Sequence, residues 1–215
     1  TLFRSHWSEV GGSVAGSIAP NATEIYQEGI RFPGVRVCRD DELVADIIDL
    51  IRENVRLPTM CLGDLNAELA AVRIAEVRFQ EIEQKYGNHT VDRTFDYILE
   101  TSEQLSREAV AAMPDGTYKA EDLIDGDGIS DEQIPVCVEV RINGERMTFD
   151  FTGTSAQRPG PINCAYGARH SAVKTVFKSL VDPQGASNEG WFRPVEIICP
   201  DGTVFTAQKP SPTGW

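Results

Sequence analysis

The hydrophobic period changes once along this chain, at Pro114, and that change limits the folds open to it. From about residue 40 to 113 apolar side chains recur at helical spacing, and from Gly116 onward they alternate. A helix repeats its face about every 3.6 residues and a strand about every second residue. The first stretch therefore reads as helices and the second as sheet. Asp40 or Asp41 is expected to cap a helix carrying Leu43, Ile47, Leu50, Ile51 and Val55, stopped before Pro58. Gly63-Asp64 opens a longer one with Leu65, Leu69, Val72, Phe79, Ile82 and Tyr86, ended by Gly87. A third starts near Thr90, carries Phe95, Ile98, Leu99, Leu105 and Ala109, and ends at Pro114. His89 falls in the turn between the last two and reads as a solvated turn residue.

Beyond Pro114, strands are expected at Gly116–Ala120, Val136–Ile142 and Arg146–Phe151, the last two joined at Asn143-Gly144. A helix covers Ala168–Leu180, with His170 near its first turn as a packing or capping residue. Strands at Val195–Cys199 and Thr203–Thr206 flank the turn Pro200-Asp201-Gly202. The acidic stretch Asp125-Gly126-Asp127-Gly128 resembles the start of a calcium loop. However, Ile129 stands where an oxygen ligand belongs and the closing glutamate is missing. It reads as a solvated acidic turn. Helices and strands are segregated, which predicts an α+β fold: a helical segment over about 40–113, then mostly antiparallel strands with one further helix. Residues 1–39 form a loop-rich segment, 40–114 a helical one and 115–215 a sheet-rich one.

Thirty-three acidic against 20 basic residues give a net charge of −13, which argues against nucleic acid or an anionic membrane as partner. No apolar run approaches the ~18–20 residues needed to span a bilayer. The five cysteines are widely spaced and form no Cys-x-x-Cys pair, so neither a zinc ribbon nor a disulfide scaffold is indicated. A reducing cytoplasm is the simplest setting, and the sequons at Asn21 and Asn88 are then accidental. No Gly-x-x-x-x-Gly-Lys-Ser/Thr occurs, which excludes a P-loop.

Two segments carry candidate chemistry. In His6-Trp7-Ser8-Glu9-Val10-Gly11-Gly12, an imidazole and a carboxylate precede a diglycine whose backbone can approach something closely. That pair suits a divalent metal or a proton transfer. Two ligands do not close a site, so others must come from far along the chain or from residues before Thr1. In the second segment, a strand ending at Asp150 runs into Thr152, Gly153, Thr154 and Ser155, offering hydroxyls and bare amides at a sheet edge. These suit either a polar or anionic ligand or a hydrogen-bonded turn. Asn163, between Pro161-Ile162 and Cys164, could orient the same ligand through its amide.

Taken in order, several runs resemble one family. They are His6-x-x-Glu9-x-Gly-Gly, Tyr26-Gln-Glu-Gly-Ile30, Asn54-Val-Arg-Leu-Pro58, Gly63-Asp-Leu-x-Ala67 and Lys85-Tyr-Gly87, followed by Asp150-Phe-Thr-Gly-Thr-Ser155, Pro161-Ile-Asn163 and Asn188-Glu-Gly190. Together they are similar to the hydantoinase B/oxoprolinase family, which includes the B-type subunits of ATP-dependent N-methylhydantoinases, one half of 5-oxoprolinase, and subunits of acetone and acetophenone carboxylases. The resemblance implies that this chain is a central fragment of a longer one. It also implies that His6 joins upstream residues around a divalent metal, zinc or manganese. The family carries Asp where this chain has Glu9, and the longer side chain then contacts a ligand rather than the metal. An A-type ATPase partner of actin-like fold would bind ATP and phosphorylate the substrate. The implied activity is a cyclic-amide hydrolase, with a ketone carboxylase and a non-catalytic scaffold for the A-type partner as alternatives. Glu9 and Asn163 are the candidate catalytic residues. Asp150, Thr152, Gly153, Thr154 and Ser155 are candidates for substrate binding, and His6 for the metal.

Overall fold

In the computed structural model, residues 7–214 are described. The first regular pairing is a tight hairpin of β1 (Cys38–Arg39) and β2 (Glu42–Leu43). Asp40 and Asp41 form its turn, with φ of 51° and 64°. Aspartate tolerates that left-handed backbone, so the pair makes a hairpin turn and not the expected helix cap. Helix α1 (Ala45–Asn54) starts instead after Val44, without a side-chain cap. It buries Ile48 and Ile51 against Cys61 and Leu65, with Val55 beside them, while Leu43 and Leu50 stay exposed.

Helix α2 runs Pro58–Tyr86, 29 residues, or about 43 Å at the usual rise. Pro58 starts it. The fixed φ and missing N–H of proline suit a first turn, so the expected opening at Gly63-Asp64 was too late. Gly87 ends it as expected, at φ 79° with its amide donating to the Glu83 carbonyl at 2.8 Å. Helix α3 (Asn88–Ala111) follows at once, which puts His89 in its first turn and not in a connecting loop. The distal half of this hairpin leaves Val72, Ile74, Val77 and Tyr97 exposed. Between the helices lies an apolar groove of about 340 Å³ lined by Phe79, Ile82, Tyr86, Val91 and Phe95. Among the described residues no helix is long and apolar enough to cross a membrane.

The second half forms one sheet in the order β3 (Gly116–Ile124), β4 (Ile134–Asn143), β5 (Arg146–Asp150), β6 (Val195–Ile198). β3, β4 and β5 pair antiparallel, and β6 joins β5 in parallel after a crossover through α4 (Tyr166–Val181). The fold is α+β, with the helices first and a mostly antiparallel sheet after them. The Asn-Gly signal marked the β4–β5 hairpin, whose turn is Gly144-Glu145 with Asn143 paired to Arg146. Alternation then puts Ile142, Met147 and Phe149 on one sheet face, where they pack against Val110 of α3 and Val173 and Phe177 of α4. β3, at the free edge, is exposed along nearly its whole length. Thr203–Thr206 does not form a strand. The Thr203 and Thr206 hydroxyls bond each other at 2.9 Å and both reach the Pro200 carbonyl, closing a turn.

Two long-range ties complete the fold. The motif Asn188-Glu-Gly190 sits on α3: Asn188 Nδ2 donates to Ser102 Oγ at 2.7 Å, and Ser106 Oγ donates to the Trp191 carbonyl at 2.7 Å. A Cβ on Gly190 would come within 2.2 Å of the Leu99 carbonyl oxygen, so only glycine fits there. The loop-rich start is tied to the last residues. Glu28 accepts from the amides of Thr213 at 2.7 Å and Gly214 at 2.8 Å, and Ile25 N–H donates to the Pro210 carbonyl at 2.8 Å.

Candidate functional site

His6 lies outside the described residues, but the backbone that follows it is held closely. Trp7 Nε1 donates to Glu68 Oε1 at 2.7 Å, and the Ser8 amide donates to Asp64 Oδ2 at 3.2 Å. Asp64 and Glu68 stand one turn apart on α2, so the helix presents two carboxylates to this segment. Glu9 follows at 1% exposure. Its Oε1 accepts from the Gly11 amide at 2.8 Å and from the Arg56 guanidinium at 3.1 Å, and its Oε2 accepts from the Arg56 amide at 2.9 Å. Burial pushes this carboxyl upward. The amides of Arg56 and Gly11 and the guanidinium outweigh that and hold it below the ordinary glutamate range.

Arg56 also donates to the Gly12 carbonyl at 2.7 Å and to the Val14 carbonyl at 2.9 Å. The diglycine approaches its own chain. A Cβ on Gly11 would fall 2.4 Å from the Asn54 carbonyl oxygen and one on Gly12 would fall 2.6 Å from that of Gln27, both at φ near 85°. Cys61 completes the cluster by donating its thiol to the Glu9 carbonyl at 3.0 Å. Burial, then the charges of Glu9 and Asp64, push the Cys61 thiol upward, so it stays protonated at neutral pH.

The Asp150–Ser155 loop continues the sheet beyond the end of β5. Asp150 accepts from the Thr152 amide at 3.0 Å and from Arg141 at 3.2 Å, and Thr152 first, then Arg141, outweighs its burial to hold it below the usual aspartate range. Gly153 sits at φ 102°, where a Cβ would be 3.1 Å from Cys137 Sγ. The buried Thr154 hydroxyl donates to the Cys137 carbonyl at 3.0 Å and accepts from the Cys137 amide at 3.1 Å, replacing a missing ladder partner of β4. The Ser155 amide donates to the Pro135 carbonyl at 3.0 Å. Thr152 and Gly153 are the exposed members. Beside Gly153 opens a concavity of about 540 Å³, lined also by Glu121, Asp122, Pro135 and Cys137.

Asn163 is fully buried and uses both ends of its amide. Its Nδ2 donates to the carbonyls of Arg158, Gly160 and Pro212 at 2.8, 3.0 and 2.9 Å, and its Oδ1 accepts from the Arg158 amide at 2.7 Å. Asp127 holds the same loop. Expected in a solvated turn, it is instead 3% exposed, and accepts from the amides of Ile129, Ser130 and Gly160 at 2.9, 2.8 and 3.1 Å. Burial pushes Asp127 upward, and those amides with the Arg158 charge more than compensate.

Glu9, Asn163 and the Asp150–Ser155 loop thus occupy three separate networks, with no hydrogen bond or ion pair joining them among the described residues. Within those residues no group of three His, Cys, Asp or Glu side chains could hold a metal, and the Glu9 oxygens are already shared among three donors. The described side chains alone therefore do not build a metal centre. Arg56 and Asp64 stood in the sequence within recognisable runs, but their partners lie 47 and 56 residues away, which no local pattern shows.

A helical hairpin braced on a mostly antiparallel sheet, with a glycine-rich loop clamped between the buried Glu9 and the partly exposed Arg56, defines the class. The chain belongs to the hydantoinase B/oxoprolinase family, matched over residues 1–215. A protein of Pseudomonas sp. strain NS671, provisionally named as the B component of a D-/L-hydantoinase, is 32% identical over 225 residues, covering 99% of this chain and 38% of that protein. The crystal structure of an ATP-dependent caprolactamase from Pseudomonas jessenii superposes with a TM-score of 0.88 at 28% identity, covering 96% of this chain and 36% of that one. A nucleotide-free acetone carboxylase also superposes at 0.88, with 17% identity over 98% of this chain and 30% of that one, and shares the fold. The chain spans under two-fifths of the length of each.

Proposed function

We propose that this chain is part of the B-type subunit of an ATP-dependent cyclic-amide hydrolase working with an A-type ATPase subunit. The observation that carries this reading is its 28% identity and 0.88 TM-score to an ATP-dependent caprolactamase, against 17% to the carboxylase of equal fold similarity. The chemistry is consistent. Transfer of the γ-phosphoryl group from ATP to the amide oxygen gives an imidophosphate and ADP. A first water adds to its carbonyl carbon and the ring C–N bond breaks, the nitrogen leaving as the amine and the carbon as an acyl phosphate. A second water cleaves that mixed anhydride to the carboxylate and inorganic phosphate. The imidophosphate carbon is far more electrophilic than that of an amide, so the second step no longer needs a strong nucleophile.

In this reading His6 serves as one ligand of a divalent metal, zinc or manganese, whose other ligands lie outside the described residues. Glu9 acts as a positioning residue. Its clamp by Arg56 and the anchoring of Trp7 and Ser8 on α2 fix the backbone beside His6. Thr152 and Gly153 face the substrate from the exposed side of the loop whose buried side Thr154 braces, and Asn163 sets the loop before α4. The five free thiols agree with a reducing, cytoplasmic setting. A scaffold role without chemistry is the second reading, favoured by the internal use of the polar atoms of Glu9, Thr154 and Asn163.

The test uses the full-length protein with its A-type partner, ATP and a panel of lactams, hydantoins and 5-oxoproline. ATP-dependent ring opening, lost in His6→Ala with the fold intact by circular dichroism, supports the reading. Bicarbonate-dependent turnover of ketones alone would assign the carboxylase branch, and normal turnover by His6→Ala would leave the scaffold role.

A further inference from the structure

At the start of α4 the structure holds a buried cation that no carboxylate neutralises among the described residues. Arg169 is 7% exposed, forms no ion pair there, and its Nε has no hydrogen-bond partner. Among the described residues its Nη2 reaches only His170 Nδ1, at 3.4 Å, and its guanidinium lies 4.9 Å over the Tyr166 ring. Tyr166 is the first residue of the helix, so the guanidinium lies beside the side chain that opens it, and its charge is felt at Cys164, two residues before the helix. A buried guanidinium without an anion carries a large desolvation cost, which an arriving oxyanion would repay.

The helix end adds to the same field. Ala165 occupies the cap position and gives no side-chain cap, and the first turn contains no acidic residue. The amides of Ala168 and Arg169 bond the Ala165 carbonyl at 3.1 and 3.3 Å, while those of Tyr166 and Gly167 take no backbone partner among the described residues. Such amides with the positive helix end favour anions. His170 stacks on Tyr166 with centroids 4.4 Å apart and its Nε2 3.3 Å from the Tyr166 hydroxyl. Burial, then the charges of Arg169 and Lys174, push His170 below its usual range. Glu189, the acid whose charge His170 feels, is itself held by Lys174 Nζ at 2.7 and 2.8 Å. Tyr166 and Ala165 are exposed, which leaves the site open to solvent.

The geometry points to an oxyanion-binding site at the N-terminus of α4, in which Arg169 and the free first-turn amides hold a phosphoryl or carboxylate group of a small molecule beside Tyr166 and His170. Phosphoryl and carboxylate share the recognition chemistry: oxygens arranged for the flat donor fork of arginine. The site rests on these contacts alone and does not depend on which reaction the protein catalyses.

The experiment is calorimetric titration of the full protein with inorganic phosphate and, separately, acetate, at ionic strength fixed with chloride. Saturable binding of at least one is expected, and phosphate preference assigns a phosphoryl ligand while acetate preference assigns a carboxylate. Arg169→Gln should weaken binding on the order of tenfold or more. Ala165→Asp supplies a carboxylate at the cap, so it should raise the melting temperature and abolish binding of the added anion. This second variant reads the site even if Arg169→Gln folds poorly. Heats no different from chloride, or a wild-type affinity retained by Ala165→Asp, would overturn the proposal.

Discussion

Glu9 and Arg56 meet across 47 residues through both the main chain and the side chain of the arginine: the Arg56 amide donates to one carboxylate oxygen and its guanidinium to the other. One acidic side chain therefore fixes both the entry to α2 and the diglycine loop. Glu9→Gln keeps the size but turns an amide NH2 group toward donors. It should cost about 2 kcal/mol, less than breaking a fully buried pair, because the Arg56 side chain remains 42% exposed. Urea denaturation at neutral pH would read this as a lower midpoint with an unchanged slope. An unmoved midpoint would show that the clamp contributes nothing.

Glu9 and Asp127 also predict how the fold responds to acid. Both are held below their ordinary carboxylate ranges. Their contribution is fully present above about pH 4–5, where the unfolded carboxyls are ionised, and is lost as pH falls through the lower folded-state values. Stability should stay level from neutral pH to about 5 and fall below about 4. In a Glu9→Gln, Asp127→Asn double variant the same curve should be flatter, which denaturant titrations at several pH values would show.

Asn163→Ala removes a donor from three carbonyls and an acceptor from one amide in a fully buried site. The expected loss is about 3 kcal/mol or more. Thr154→Val keeps its shape and removes two bonds to the Cys137 backbone, for about 1–2 kcal/mol. Thermal melts of both would rank them. Equal and negligible shifts would contradict the bracing roles and return both residues to candidates for substrate contact.

Gly160→Ala tests the close approach of two loops. The new Cβ would stand 1.8 Å from the Asp127 carbonyl oxygen, so the 158–163 loop must move away from Asp127. The overpacking cost is about 3 kcal/mol. Gly144→Ala, at a turn with open space around it, should cost only the strain of its φ of 56°, about 1 kcal/mol. A larger effect at Gly144 than at Gly160 would refute this picture of the loop.

Much of the fold was legible locally. The period change at Pro114, the Asn-Gly hairpin and the Gly87 stop depend on near neighbours in sequence and were read directly. Asp40-Asp41 and Pro58 depart from expectation because each signal has two meanings: aspartate both caps helices and tolerates left-handed turns, and proline both ends helices and starts them. Asp127 departs from its expected solvated turn for a different reason. Its acidic, glycine-flanked setting suggests solvent, whereas the Gly160 amide that holds it lies 33 residues on. The candidate site residues stand out in the sequence by chemical type, whereas most of their partners come from distant parts of the chain that only folding brings together.

The tie between Glu28 and Thr213 sets an order of events during synthesis. Thr213 leaves the ribosome 185 residues after Glu28, and at about 5–20 residues per second that interval is on the order of 10–40 s. Throughout it the Gly/Ser-rich start has no C-terminal strap to dock on, while α2, α3 and the β-hairpin can already form from local contacts. The stretch around Glu28 is thus locked long after it is made, and nascent chains should be most open to proteases near Tyr26–Ile30.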